Sequence, residues 1–127
     1  VEKVKKIAEG AALMTGATLE MERYELPYDD LNTNETLSEI FNSNLRELGI
    51  TDIKEAKATG GSSDIGNVSY VAPTIHPYIG ITDCPMVGHS VEMAKATTTN
   101  KAHDRLLIAA LAMAYTGYDV IVRNESL

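Results

Sequence analysis

The residues able to do metal or acid–base chemistry are few: three histidines, His76, His89 and His103, and a single cysteine, Cys84. A zinc site takes three or four protein donors. Neither His-Glu-x-x-His nor paired Cys-x-x-Cys occurs, so no complete site can be read in the chain. Cys84 and His89 lie five residues apart, a spacing that could chelate but would leave the site to be finished by residues elsewhere. His103 stands at the polar start of a long helical pattern and reads as a surface or capping side chain. His76, next to Pro77 in a strand pattern, reads as an interior histidine, with support of a ligand from behind as the other option. His89 differs, because in Gly88-His89-Ser90 the glycine frees the backbone and the loop lies between a strand pattern and a helix pattern. Loops held by a rigid scaffold are where ligand-binding side chains commonly sit.

The second chemically suggestive stretch is Thr59-Gly60-Gly61-Ser62-Ser63-Asp64. It is not a nucleophile elbow, because Asp64 stands where glycine must follow the serine by two positions. It is not a phosphate loop, because Gly-Lys-Ser/Thr is missing. Two readings remain. One is an anion cradle, in which successive backbone N–H groups and a serine hydroxyl hold a carboxylate and small residues let it come close. The other is a plain turn capped by Ser and Asp.

These loops must be held by the elements around them. Val1, Val4, Ile7, Ala8, Ala11 and Met14 recur at helical steps and predict an amphipathic helix that Gly16 ends. Residues 17–26 alternate apolar with polar, which predicts a half-buried strand stopped by Pro27. Residues 28–33 are turn chemistry and the best candidate for a hinge or domain boundary. A second amphipathic helix carries Leu37, Ile40, Phe41, Leu45 and Leu48 on one face, with Asn32, Thr33 or Asn34 as its cap and Gly49 as its stop. Residues 50–58 are ambiguous, residues 68–71 are short and apolar, and 74–81 predict a strand that Pro77 confines to an edge or a bulge. Residues 82–90 are loop. From about 100 to 118 the chain predicts a long helix, and 106–115 is apolar at ten successive positions. A helix apolar all round must be covered on all sides. We expect it to pack under a larger sheet, or an oligomer to supply the missing surface.

Composition narrows the function classes. At 127 residues and 13.8 kDa, the chain is about one domain, and 44% hydrophobic with 23% charged residues is ordinary for a folded protein. A formal charge of -7 repels phosphate backbones and anionic lipid, so neither nucleic acid nor a membrane surface is an expected partner. The longest apolar run is about half of the ~20 residues a bilayer span needs. One cysteine makes no internal disulfide, which fits a reducing compartment, and we expect a cytoplasmic protein. The chain opens on Val1, directly in helical periodicity, so we expect a piece of a longer polypeptide.

Taken together, 59–69 (Thr-Gly-Gly-Ser-Ser-Asp-Ile-Gly-Asn-Val-Ser), 71–77 (Val-Ala-Pro-Thr-Ile-His-Pro) and Gly88-His89-Ser90 resemble the C-terminal part of the two-metal amidohydrolases and exopeptidases. That family includes carboxypeptidase G, succinyl-diaminopimelate desuccinylase and the N-acyl-amino-acid hydrolases, and the likeness is nearest the aminobenzoyl-glutamate hydrolase branch. The resemblance implies an α/β fold, a fragment of a two-domain metallo-amidohydrolase. Residues 1–26 would be the last helix and strand of the lid and dimerisation domain. Residues 27–127 would be the C-terminal helix, strand and helix layers of the zinc-peptidase catalytic domain. It implies hydrolysis of an N-acyl amino acid or dipeptide-like amide next to a free carboxylate, by hydroxide shared between two divalent ions, zinc foremost. By position it gives His89 the role of the last metal ligand. Gly60, Gly61 and Ser62 would hold the substrate carboxylate, in agreement with the cradle reading. It also implies a homodimer formed through the lid. The family's early ligand motifs and its glutamate base are absent, so no residue of this chain is expected to be catalytic and the chain alone is expected to be inactive. Ser90 and Val91 stand where many relatives have proline. Two other readings are open: a self-contained acidic binding or dimerisation module, and a regulatory relative whose metal site has decayed.

Overall fold

The computed structural model describes residues 1–55 and 61–123. Five helices follow in order: α1 (Glu2–Thr15), α2 (Glu35–Glu47), α3 (Ile65–Ser69), α4 (Val91–Ala96) and α5 (Asn100–Ile121).

Local chemistry sets the long helices. α1 ends where Gly16 adopts φ 70, and the Ala17 N–H donates to Ala12 O at 3.1 Å, closing the terminal turn as a left-handed glycine permits. Asn34 is the cap chosen for α2, its Oδ1 accepting from the Leu37 N–H at 2.8 Å, and Gly49 at φ 88 turns the chain away. Thr99 caps α5 by accepting from the Ala102 N–H.

The core lies where α2 packs on α5. Phe41, Leu45 and Ala112 are buried together, with Ile50, Ile53, Ile75, Ile79 and Ile108 partly buried around them. Beside this apolar patch runs a buried polar seam. The Asn44 amide donates to Thr116 Oγ1 at 3.2 Å and to Asp119 Oδ2 at 3.0 Å, and Thr116 Oγ1 donates to Ala112 O at 2.7 Å. Arg123 pairs with the second Asp119 oxygen at 3.0 Å. No buried side-chain polar atom of the described residues lacks a partner, which offsets the cost of taking these groups out of water.

The described residues do not show the expected α/β architecture: they are mostly helical. Residues 17–26 and 74–81 have strand-like alternation, yet the described residues contain no strand. A strand exists only through a ladder with a neighbour, and among the described residues a single backbone bond, Asn34 N–H to Thr74 O at 3.0 Å, reaches 74–81 from elsewhere. In the ambiguous stretch 50–58, residues 50–55 form no regular element and 56–58 lie outside the described residues. Two short helices, α3 and α4, stand where the sequence reading placed none.

Much apolar surface is bare. Ile7 and Met14, on the stripe that makes α1 amphipathic, are 72% and 83% exposed, and α1 buries none of its residues. On α5, Leu106, Leu107 and Met113 are more than half exposed, whereas Ala112 is fully covered. The expectation that this chain cannot cover its own last helix therefore matches the structure. No described helix is long and apolar enough to cross a membrane.

Candidate functional site

The loop that carries His89 is bracketed at both ends. Thr82 Oγ1 donates to Cys84 O at 2.7 Å, and the Asp83 carboxylate pairs with Lys101 on the first turn of α5. The Lys101 ammonium, by its hydrogen bond and then by its charge, holds the Asp83 carboxyl below the usual carboxylate range. At the other end Ser90 Oγ donates to Val87 O at 2.8 Å and accepts from the Met93 N–H at 3.1 Å, so one hydroxyl closes the loop and starts α4.

Between these anchors His89 is exposed and adopts φ 56, the one positive φ among the described residues that are not glycine. Such a backbone costs on the order of 1–3 kcal/mol and persists where the surroundings impose it. Cys84, in the same loop, is also exposed. His76 is exposed and stacks on Tyr78 with ring centroids 5.1 Å apart, so it is not the interior histidine its strand pattern suggested. In 74–81 it is Ile75 and Ile79 that pack against the core, while His76 stays outside. His103 is exposed on the first turn of α5, as expected.

Among the described residues, no three His, Cys, Asp or Glu side chains converge as a metal site requires. An open imidazole on a fixed loop fits the part of a single donor. It does not fit a two-ion centre by itself, since each ion needs several donors.

Of the three residues assigned to the carboxylate cradle, Gly61 and Ser62 are exposed and Gly60 lies outside the described residues. Ser63 Oγ accepts from the Ile65 N–H at 3.3 Å, while Asp64 makes no capping bond at the start of α3. The turn is thus closed by Ser63 and leaves Gly61 and Ser62 facing outward.

A further attachment, not expected from the sequence, holds this loop from the other side. α3 is fastened to 27–32, which overlaps the 28–33 stretch expected to be a hinge or domain boundary. The Asp29 N–H donates to Asn67 Oδ1 at 3.3 Å, and Asn67 Nδ2 donates to Pro27 O at 3.2 Å and to Asp29 Oδ2 at 3.3 Å. The Asn32 N–H donates to Ser69 Oγ at 2.9 Å, which in turn donates to Gly66 O at 2.6 Å. The Tyr70 hydroxyl donates to Asp30 Oδ1 at 2.9 Å, and that hydrogen bond holds the hydroxyl above its ordinary pKa. Gly66 is packed so closely that a Cβ there would lie 2.7 Å from the Asp29 carbonyl carbon. The available signal was the small and polar run Gly66-Asn67-Val68-Ser69, in which Asn and Ser are residue types that bond backbone groups outside helices.

No protein-family model matches the chain. It is 35% identical over 126 residues to the Xaa-Arg dipeptidase of Mus musculus, covering 96% of this chain and 29% of the relative. It is 34% identical over 129 residues to the Xaa-Arg dipeptidase of Homo sapiens, covering 99% of this chain and again 29% of the relative. The chain resembles one segment of a dipeptidase. That likeness agrees with a peptidase-type hydrolase in the coarse sense and does not select the aminobenzoyl-glutamate branch. The chain spans under a third of the length of these relatives, and both loops described above fall within the matched stretch.

Proposed function

We propose that this chain is the part of a metal-dependent peptidase that supplies one metal donor, His89, and the carboxylate-holding loop at Gly61 and Ser62, with Gly60 completing that loop. The substrate class is a dipeptide or N-acyl amino acid with a free carboxylate, and the named relatives favour one ending in arginine. The single observation that carries this reading is a likeness to a dipeptidase across nearly the whole chain. The exposure of Gly61, Ser62 and His89 supports it. Two divalent ions, zinc foremost, would bind in the whole protein with the remaining donors outside this chain. A homodimer through the lid and a cytoplasmic location belong to the same proposal.

Within it, this chain's residues bind and orient. Backbone N–H groups at a glycine-rich turn can donate to a carboxylate without a side chain in the way. The positive φ at His89 sets the backbone from which its exposed imidazole projects. The other reading, a self-contained acidic module, is weakened by the buried cluster, which holds three residues beside several bare apolar side chains.

The test uses the full-length protein with a dipeptide of alanine and arginine and with that dipeptide's C-terminal amide. We expect cleavage of the free acid, loss of activity with a chelator, and strong preference over the amide. The H89A variant should bind about one metal ion fewer, by elemental analysis, and lose most activity. An H89A protein that keeps both its metal and its rate overturns the assignment.

A further inference from the structure

We infer that Asn67 is a positioning residue that latches the carboxylate-holding loop to the 27–32 stretch, so that order at Gly61 and Ser62 depends on where that stretch sits. This rests on the proposed function for its effect on substrate, though not for the latch itself.

The geometry supports it in three ways. Asn67 joins α3 to two separate points of the stretch, Pro27 O and both the N–H and the carboxylate of Asp29, so its amide fixes position as well as distance. Ser69, Tyr70 and the Asn34-to-Thr74 bond repeat the attachment along the same two stretches. Gly66 brings the two backbones into direct contact, which leaves no slack for one to slide past the other. From Asn67 back to Ser62 the chain runs through α3 and the turn closed by Ser63, a few residues of fixed path. A displacement of 27–32 is therefore transmitted to the loop rather than absorbed at 28–33. A pivot of the 1–26 part, where one occurs, would then fall before Pro27, in 17–26, where the described backbone forms no regular element.

The experiment compares full-length wild type with N67A. It measures backbone hydrogen exchange peptide by peptide, and the KM and kcat of the alanine–arginine dipeptide and its amide. Asn67→Ala should speed exchange in 27–33 and in 61–71 together, with α2 and α5 unchanged. It should raise KM for the free acid by about tenfold, the scale of one or two lost hydrogen bonds, with kcat and the amide little affected. Ser69→Ala, which removes one hydroxyl from the same junction, should move both readouts in the same direction and serves if N67A does not fold. Unchanged exchange in either stretch overturns the latch. Faster exchange in both with an unchanged free-acid KM overturns its positioning role. If wild type cleaves neither compound, the proposed function fails, while the exchange result still decides the latch.

Discussion

The α2–α5 seam and the junction between 27–32 and α3 hold this chain together by opposite means. At the seam, apolar side chains are removed from water and the polar groups among them are satisfied by other side chains. At the junction, hydrogen bonds from exposed or half-exposed groups do the joining, and the close contact is backbone on backbone. Burial stabilises in proportion to area, whereas an intramolecular hydrogen bond that replaces one to water nets about 1 kcal/mol. The seam should therefore set whether the chain folds, and the junction should set how one loop is held once it has.

Variants can break or sharpen that contrast. Phe41→Ala empties the centre of the seam and should cost about 3–5 kcal/mol in chemical denaturation. A junction variant with an equal cost would erase the distinction. Asn44→Ala leaves Thr116 and one Asp119 oxygen without their partner in a buried setting and should cost about 1–3 kcal/mol. If N44A proves neutral, the polar seam is incidental to the packing. Asn34→Ala removes the α2 cap at the point where seam and junction meet, and about 1 kcal/mol of lost stability is expected. The smallest effect belongs to the surface pair of Asp83 and Lys101. Its carboxyl titrates lower in the folded chain than in the unfolded one, so on acidification the unfolded chain takes up the proton first. The stabilisation is thus present above the ordinary carboxylate pKa and fades as pH falls through the folded value. Lys101→Met should return Asp83 to the ordinary range in a carboxyl NMR titration. An unmoved titration would show that the pair does not persist in solution.

What was legible in the sequence was what short-range chemistry decides. Gly16, Asn34 and Gly49 bound their helices because a cap or a left-handed turn involves residues within one turn of each other. The bare face of α5 was legible too, from apolar density alone. The strands at 17–26 and 74–81 were not decided locally, since alternation only prepares a face and a ladder needs a second stretch beside it. α3 and α4 escaped because five and six residues carry too little periodicity to register, although Ser90 is an ordinary helix-starting residue. Among site residues, the loop position of His89 was readable, and its positive φ was not. The run Gly66-Asn67-Val68-Ser69 hints that some backbone is bonded there, but not that it is 27–32: Asn67 and Pro27 are 40 residues apart, and nothing near either one names the other.

Gly66 gives this part of the molecule an unusual mutational profile. Every other residue type carries a carbon where the Asp29 carbonyl already sits, so a saturation library at this codon should return glycine almost alone, however mild the selection. Gly80, with nothing near it, should return a broad mixture from the same screen.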